Sequence, residues 1–185
     1  DNIAFNIGVC MGVVAAMLAK RGVLRVMATD ISNRAIKCAR ENIERLNLTE
    51  QIECVETHLF PKDAEGNPQQ AALIVCNPPW LPSAPINIEE MPMYDTDGQM
   101  LQNFLKNVTA HLLPEGEVWL ILSDLAERLK LRSREELLNS FAANALLVKG
   151  KIDLPARPTR TQSPSHPLYK LRSQEIISLW RLMPE

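Results

Sequence analysis

The most informative part of the sequence is Ala71-Ala72-Leu73-Ile74-Val75-Cys76-Asn77-Pro78-Pro79-Trp80. Its first six residues form an apolar run with the length of a buried strand, and turn-forming residues follow directly. Pro78 and Pro79 end the strand and stiffen the chain, because proline lacks an N–H and restricts the residue before it. We therefore predict a rigid turn at the carboxyl end of a central strand, the edge where open α/β sheets bind ligands.

The four residues of this turn share a chemistry suited to a planar amine. Asn77 offers a carbonyl acceptor and an amide donor, whereas Pro78 and Pro79 offer only carbonyl acceptors. Trp80 adds a flat apolar face. Together they provide two acceptors for the hydrogens of an –NH2 group and a ring on which its plane can stack. None of the four is a strong base or nucleophile.

Strands and helices alternate along the rest of the chain. Predicted strands cover Ile3–Ile7, Arg25–Thr29, Gln51–Val55, Ala71–Cys76, Glu117–Ser123, Leu146–Leu154 and Glu175–Leu182. Predicted helices cover Val13–Arg21, Ser32–Leu46, Gln99–Leu113 and Ser133–Asn144. Ser32 and Asp97 are expected to cap helices, and Ser133 with Glu136 to form a capping box.

This element order predicts a single α/β domain over residues 1–185. Alternating strands and helices imply right-handed crossovers and a parallel sheet with helices on both faces. The last two strands follow one another without a helix, so we expect them to form an antiparallel hairpin. The expected fold is a Rossmann-like, seven-stranded, mostly parallel sheet with an antiparallel last strand.

The first strand leads into Asn6-Ile7-Gly8-Val9-Cys10-Met11-Gly12. A strand, a glycine-containing turn and a helix in this order form a cradle for a nucleoside-bearing ligand. Asp30 closes the second strand, at the spacing expected of a carboxylate that binds ribose hydroxyls.

The Asn-Pro-Pro-Trp turn resembles the catalytic motif of class I S-adenosylmethionine-dependent methyltransferases that modify planar amines. That group includes glutamine methyltransferases of release factors, adenine amino-methyltransferases of DNA and guanine amino-methyltransferases of ribosomal RNA. The strand and helix pattern is similar to the family fold over essentially the whole chain. The resemblance implies S-adenosyl-L-methionine as cofactor and a catalytic role for Asn77, Pro78, Pro79 and Trp80, which would orient the amine toward the methyl donor.

The resemblance also implies cofactor-binding positions. The family pattern is an acidic residue, any residue, and then three glycines at alternate positions. Gly8 and Gly12 match the first and third glycines, whereas Cys10 replaces the second and Asn6 replaces the acid. Asp30 matches the ribose-binding carboxylate.

His58 stands where many relatives carry an acidic residue for the adenine amino group, and Asn77 also lies beside the cofactor. A neutral His58 can still accept a hydrogen bond, but a protonated one cannot. Cys10 adds a side chain where the backbone approaches the ligand. Losing one or two such contacts costs about 1–3 kcal/mol each. We predict weak cofactor binding, and a low-micromolar affinity measured by calorimetry would contradict that expectation.

Composition limits the other possibilities. The chain has 185 residues, a net charge of −2 and 46% hydrophobic residues, which gives no overall nucleic-acid signature. The four cysteines lack CxxC spacing and stand apart from the three histidines, so we predict buried free thiols in a reducing compartment and no metal. The apolar stretch Ile3–Ala19 also permits a membrane span, but strand-turn-helix explains its glycines better. We expect a cytoplasmic protein without a membrane segment. The chain begins directly in a strand and without Met, which suggests a missing upstream segment.

Two stretches are candidates for substrate contact. The first is an acidic loop containing Glu89, Glu90, Tyr94, Asp95 and Asp97, which favours a protein substrate. The second is the loop predicted within Lys149–Arg172. Its basic residues are suited to RNA or DNA phosphates, and they are Lys149, Lys151, Arg157, Arg160, Lys170 and Arg172.

Three functions therefore remain open on the sequence. The first is a methyltransferase acting on a planar amine, either a protein glutamine or a nucleobase. The second is a methyltransferase-like scaffold or subunit with a degenerate cofactor site. The third is a nucleotide-binding oxidoreductase, whose cofactor would be NAD. Cofactor binding separates the first two, and cofactor identity separates the third. Oligomeric state is not predicted.

Overall fold

The computed structural model describes residues 2–83, 94–156 and 169–185. Seven strands form one sheet in the order β3-β2-β1-β4-β5-β7-β6. The strands are β1 Ile3–Ile7, β2 Arg25–Asp30, β3 Ile52–Glu56, β4 Ala71–Cys76, β5 Leu112–Ser123, β6 Leu146–Pro155 and β7 Ile176–Pro184. The helices are α1 Val13–Lys20, α2 Asn33–Arg45, α3 Gln99–Val108, α4 Leu125–Arg128, α5 Arg134–Ala143 and α6 Tyr169–Arg172. The predicted fold class is confirmed.

Strand direction follows the prediction as well. β1 pairs in parallel with β2 and with β4, and β2 pairs in parallel with β3. The backbone N–H of Ala156 donates to the carbonyl of Glu175 at 2.8 Å, and that of Glu185 donates to the carbonyl of Ala145 at 2.9 Å. These bonds join the end of β6 to the start of β7 and the end of β7 to the start of β6, so the last two strands are antiparallel.

The strand order reverses between β1 and β4. The chain passes from β1 outward to β3 and then returns to place β4 on the other side of β1. Such a switch point opens a crevice at the carboxyl ends of the two strands, because the connections leave in opposite directions. The predicted amine-binding turn follows β4 and the glycine turn follows β1, so both begin at this point.

The chain divides into two compact units. The first contains Asp1–Asn77, Lys106–Trp119 and Pro184, and the second contains Pro78–Leu105, Leu120–Met183 and Glu185. In the first unit, α1 and α2 bury a core against β2 and β3 that includes Ala15, Val26, Ile36, Ala39 and Ile52. In the second unit, Leu81, Leu125 and Ala126 form a buried cluster against which Tyr94, Leu129 and Leu171 pack.

The largest boundary error concerns the start of β5. The sequence predicted a helix to Leu113 and a strand from Glu117, but α3 ends at Val108 and β5 begins at Leu112. A side chain at Gly116 would lie 2.9 Å from the carbonyl oxygen of Leu113 and 3.2 Å from that of Ala71, and Glu115 has a left-handed backbone with φ 63°. The chain therefore bends sharply inside β5 at these residues, and a glycine is needed there for close packing. Two short helices, α4 and α6, were also missed.

His111 helps to fix this early start of β5. Its ring is buried, stacks on Phe60 with 4.3 Å between centroids, and lies 2.8 Å through Nδ1 from the carbonyl of Gln69. Burial lowers the pKa of the His111 imidazole, and the nearby Lys62 acts in the same direction. A neutral imidazole in this position anchors the chain just before β5.

Two predicted helix caps are confirmed and one is wrong. Ser32 accepts from the backbone N–H of Ala35 at 3.3 Å, and Ser133 with Glu136 forms the expected capping box. The cap of α3 is Asp95 rather than Asp97, since the Asp95 carboxylate accepts from Met100 N at 2.9 Å and from Leu101 N at 3.1 Å. Asp97 instead has a left-handed backbone, with φ 58°.

We expect Asp95→Ala to lower the free energy of unfolding by about 2–3 kcal/mol, because it removes a cap and leaves a buried N–H without an acceptor. Asp97→Asn is the matched control, since Asn tolerates left-handed backbone and removes the same charge. Chemical denaturation of both variants checks this. A larger loss for Asp97→Asn than for Asp95→Ala would contradict the assignment.

Burial tests the prediction for the four cysteines. Cys54 and Cys76 are buried, but Cys10 is exposed and Cys38 is half-buried, so the prediction of four buried thiols is wrong for the latter two. Cys10 is exposed because the turn that carries it lies outside the core.

The apolar stretch Ile3–Ala19 divides into β1, the turn and α1. Within residues 2–83, 94–156 and 169–185, no helix is long and apolar enough to cross a bilayer.

Candidate cofactor and substrate site

The candidate site begins at the carboxyl ends of four parallel strands in the first unit. Ile7, the last residue of β1, pairs with Thr29 of β2 and with Cys76 of β4. Asp30 at the end of β2 pairs with Glu56 at the end of β3. The register therefore brings the glycine turn, Asp30, the segment after β3 and Asn77 to the same edge of the sheet.

The glycine turn is fixed by backbone hydrogen bonds. The N–H groups of Gly8 and Val9 both donate to the carbonyl of Thr29, at 2.9 and 2.8 Å. Gly8 and Gly12 have φ values of 76° and 84°, a left-handed conformation that glycine adopts without strain. Thr29 also donates through Oγ1 to the carbonyl of Leu59 and is fully buried. Sequence reasoning missed Thr29. The feature that could have indicated it is the presence of one polar residue near the end of an otherwise apolar strand.

Asp30 connects the turn to the start of α2. Its Oδ2 accepts from the backbone N–H of Cys10 at 3.2 Å, and its Oδ1 accepts from that of Ser32 at 2.9 Å. An ionised carboxylate has about four acceptor positions, so roughly two remain for other donors. Two adjacent hydroxyls of a ribose fit that remainder, and Asp30 therefore suits a nucleoside cofactor.

Asn6 differs from the family acid in a way that the core explains. The residue is only 1% exposed, and its Oδ1 is buried without a hydrogen-bond partner among the described residues. A buried amide costs much less desolvation free energy than an unpaired carboxylate. This unpaired acceptor belongs to the residue two positions before Gly8.

Cys10 occupies the position of the second family glycine. Its φ is 53°, which costs a residue with a side chain about 1 kcal/mol, yet the side chain is exposed and the N–H reaches Asp30. The turn therefore keeps a glycine-like backbone, and the residues present fit the cofactor with one added side chain at the exposed surface.

We expect Cys10→Gly to bind S-adenosyl-L-methionine roughly fivefold more tightly, because it removes a side chain from the approach of the ligand. Asn47→Gly is the matched control, since Asn47 also has a left-handed backbone, with φ 56°, and lies just after α2. Titration calorimetry of both variants measures the effect. Equal affinities for Cys10→Gly and the unaltered chain would show that Cys10 does not weaken the site.

The segment after β3 carries His58, which is exposed. The N–H of Thr57 donates to the carbonyl of Asp30 at 3.0 Å, so His58 follows directly on a contact with the end of β2. Glu56, the acidic residue nearest to His58 in the sequence, accepts from the side chain of Asn33 at 2.6 Å.

Ile31 is a candidate cofactor contact that sequence reasoning missed. It is 68% exposed beside Asp30 and offers an apolar surface to a flat base.

The amine-binding turn follows β4 without a break. Asn77 is exposed, Pro78 is buried, and Pro79 and Trp80 are half-buried. The boundary between the two units falls after Asn77. Cys76, the residue before Asn77, pairs with Ile7, the residue before Gly8. Asn77 and Gly8 therefore follow two strand ends that lie side by side.

In the second unit, Leu81 contacts the residues at the carboxyl end of the acidic loop. Tyr94 forms a bridge with Leu81, and the N–H of Asp95 donates to the carbonyl of Leu81 at 2.7 Å. The Asp95 carboxylate is committed to the cap of α3, whereas Asp97 is exposed. Glu89 and Glu90 lie outside the described residues.

The basic stretch is not a single loop, contrary to the prediction. Lys149 and Lys151 lie on β6, where Lys151 pairs with Asp153 at 2.7 Å and lies 5.0 Å from the ring centre of Trp180. Lys170 and Arg172 lie on α6. Arg157 and Arg160 lie outside the described residues. Residues 146–155 form β6, and Phe141 and Arg134 of α5 also contact the ring of Trp180.

Comparison with known proteins gives a family match. The family model described as "Methyltransferase small domain" matches residues 2–151. The tRNA1(Val) (adenine(37)-N6)-methyltransferase of Parabacteroides distasonis is 28% identical, and the match covers 87% of this chain and 72% of that protein.

Two glutamine methyltransferases also match. A putative protein N5-glutamine methyltransferase of Methanocaldococcus jannaschii is 30% identical over 65% of this chain and 61% of its own length. The release factor glutamine methyltransferase of Mycoplasma mycoides is 32% identical over 44% of this chain and 27% of its own length. The match thus spans less than two thirds of either glutamine methyltransferase.

Solved structures agree on the fold. The ribosomal protein L11 methylase of Lactobacillus delbrueckii has a TM-score of 0.63 at 20% identity, covering 99% of this chain and 70% of that one. The geranyl diphosphate C-methyltransferase of Streptomyces coelicolor has a TM-score of 0.68 at 14% identity, covering 100% of this chain and 72% of that one. At these identities the likeness concerns the fold alone.

Proposed function

We propose that this chain, which belongs to the methyltransferase small domain family, transfers the methyl group of S-adenosyl-L-methionine to a planar amine nitrogen. The observation that carries the proposal is the pairing of Ile7 with both Thr29 and Cys76, which brings the glycine turn, Asp30 and Asn77 to one edge of the sheet. The family assignment confirms the predicted methyltransferase class and its methyl donor.

The residues of the first unit would hold the cofactor by its polar groups. Asp30 has acceptor positions left for the two ribose hydroxyls, and Asn6 has an unused acceptor beside the turn. Ile31 would pack against the base, and His58 would accept from its amino group when neutral. The backbone of the glycine turn allows close approach at Gly8 and Gly12.

The amine would be held by Asn77 and the residues after it. When bound, the cofactor supplies an electrophilic methyl group on a sulfonium. The side-chain carbonyl of Asn77 and the backbone carbonyl of Pro78 would accept the two amine hydrogens, which leaves the nitrogen lone pair free to face the methyl group. Trp80 would stack on the amine plane. Rate acceleration then comes chiefly from placement in line with the methyl group.

The test is titration calorimetry with S-adenosyl-L-methionine, with NAD as the control ligand, followed by methyl transfer to an RNA and to a glutamine-bearing peptide. Saturable one-to-one binding of S-adenosyl-L-methionine and transfer to either substrate support the proposal. A folded protein that binds S-adenosyl-L-methionine but methylates neither substrate class would contradict a planar-amine activity.

A second candidate is a methyltransferase-like scaffold or subunit. The replacement of a family acid by Asn6 and of a family glycine by Cys10 favours it. It predicts no binding of S-adenosyl-L-methionine by a folded protein in the same titration. The family assignment does not support the oxidoreductase alternative. Saturable binding of NAD in the same titration would be needed to support it. Action in the cytoplasm stays a prediction.

A further inference from the structure

β6 is an edge strand of the sheet and carries many exposed apolar side chains. The strand order ends at β6, so only β7 pairs with it within the part of the chain that the structure describes. An edge strand presents a row of N–H and C=O groups with which another strand can pair. Of the eleven large apolar side chains that are exposed among the described residues, four lie on β6. They are Leu147, Val148, Ile152 and Leu154, with exposures of 49%, 43%, 53% and 63%.

The opposite edge of the sheet is protected against such pairing. β3 has five residues, whereas β6 has ten. The two exposed residues of β3, Glu53 and Glu56, are both acidic. Arg40 donates to the backbone carbonyl of Cys54 in the same strand at 2.8 Å. Short length and repeated charge are common means of preventing edge-to-edge association. In β6, by contrast, four of the seven exposed residues are large and apolar.

Apolar residues of β6 lie on the sheet face away from α5. The Nζ atom of Lys151 lies 5.0 Å from the ring centre of Trp180, which also contacts Phe141 of α5, so Lys151 is on the α5 face. Successive strand residues alternate between faces. The two exposed apolar residues on the other face of this part of β6 are therefore Ile152 and Leu154. A further strand beside β6 would cover them.

The sequence of β6 is complementary to itself in the antiparallel direction. Two identical strands related by a twofold axis must pair antiparallel. With the axis at Lys151, Lys149 of each copy lies opposite Asp153 of the other copy. The same register sets apolar residues opposite one another, Val148 with Leu154 and Gly150 with Ile152. Opposite charges and apolar pairs on neighbouring strands both stabilise a sheet.

Lys151 would meet its own copy at the axis, but its charge is compensated within each chain. Its Nζ atom lies 2.7 Å from one carboxylate oxygen of Asp153 and 2.8 Å from the other. Asp153 also accepts from the hydroxyl of Ser178 at 2.6 Å. An ionised carboxylate has about four acceptor positions, so Asp153 can still accept from Lys149 of the other copy.

We propose that two copies of this chain associate through β6, which pairs with itself antiparallel about Lys151 and joins the two seven-stranded sheets into one. The surface fits a second copy because its opposite charges and its apolar pairs both result from pairing the strand with itself. A twofold pairing covers the β6 edge of each copy and leaves only the protected β3 edges, so assembly should stop at two. This interface is independent of the proposed methyl transfer.

The experiment is sedimentation velocity of the full chain at concentrations from about 1 µM to about 1 mM. We expect the mass to rise with concentration from 20.8 kDa to twice that value. In Ile152→Lys, two like charges become diagonal neighbours about 7–8 Å apart across the axis, so self-association should be at least about tenfold weaker. Because Ile152 is exposed in the single chain, the denaturation midpoint of this variant should stay unchanged.

Leu24→Lys is the matched control for Ile152→Lys. Leu24 is 70% exposed, lies just before β2 and gives the same change of charge and loss of apolar surface. Its self-association should stay within about twofold of the unaltered chain.

Cysteine cross-linking tests the register. Lys151→Cys sets the two thiols opposite one another at the axis, where paired Cα atoms lie about 4.5–5.5 Å apart, and a disulfide should link the copies under mild oxidation. Lys149→Cys is the control, because its two thiols lie about 13 Å apart along the strands. It should not cross-link beyond the background from the exposed Cys10, which both variants share.

Several outcomes would overturn the proposal. One is a monomer over the whole concentration range; protection of β6 amides from hydrogen exchange in that monomer would show that the edge is covered within the chain. Equal weakening by Ile152→Lys and Leu24→Lys would place the interface elsewhere. Equal cross-linking by Lys151→Cys and Lys149→Cys would exclude the antiparallel register, and assemblies larger than two copies would exclude a closed pairing.

Discussion

Asn77→Ala is expected to lower kcat by about 10²–10³-fold, while the Kd for S-adenosyl-L-methionine changes by less than about threefold. Asn77 is exposed at the end of β4, beside the strand that carries the glycine turn. Its side chain has no role as a base, so its contribution is to orient the amine before methyl transfer. That contribution disappears with the amide, whereas the cofactor keeps Asp30 and the backbone of the turn.

Single-turnover methyl transfer and calorimetry measure the two quantities separately. Asn139→Ala provides the matched control, because Asn139 is an exposed asparagine on α5 and the same atoms are removed. Asn77→Asp is a second variant that keeps the shape of the side chain and removes its N–H donors. Full activity of the Asn77→Ala enzyme would contradict the catalytic role of Asn77. Loss of cofactor binding would instead show that Asn77 mainly binds the cofactor.

Asp30→Ala should weaken S-adenosyl-L-methionine binding roughly 100-fold. Each hydrogen bond to a charged group contributes about 1.5–3 kcal/mol, and Asp30 has room for two ribose hydroxyls. The same carboxylate also fixes the turn through Cys10 N and Ser32 N, so its removal loosens the binding surface. Both effects lower affinity.

Glu53→Ala is the control for this variant. Glu53 is an exposed carboxylate of β3, and its pair with Arg25 at 3.0 Å joins side chains that are more than half exposed. Such a pair contributes little to stability, so cofactor affinity should not change. An Asp30→Ala protein with unaltered affinity would place the ribose elsewhere and reopen the scaffold alternative.

Much of the fold followed from local patterns. The apolar run Ala71–Cys76 became β4 with its predicted bounds, and Ser133 with Glu136 formed the predicted capping box. These features depend on neighbouring residues in the chain, which the sequence displays. The choice between Asp95 and Asp97 as a cap was beyond it, because both carboxylates precede α3 and only tertiary packing decides which one is buried.

The early start of β5 has a similar cause. Pro114, Glu115 and Gly116 form a standard turn signal, and Glu115 does have a left-handed backbone, but the bend lies inside β5 because Leu112 and Leu113 already belong to the strand. Packing across the sheet overrides the local preference.

At the candidate site, the positions of the strands and turns could be predicted from the sequence, whereas the side chains that surround the turns could not. Gly8, Gly12 and Asp30 were identified from spacing, and their roles toward the cofactor stay predictions, as do those of Asn6, His58 and Asn77. Thr29 and Ile31 were missed because their importance lies in burial and exposure.

The exposed thiol of Cys10 gives the protein a chemical reporter at its glycine turn. Alkylating reagents reach accessible thiols first, and Cys54 and Cys76 are shielded by burial. Mass spectrometry of the alkylated chain would therefore follow occupancy of the turn directly, without a methyl acceptor. Footprinting of this kind allows ligands to be ranked before any substrate is known.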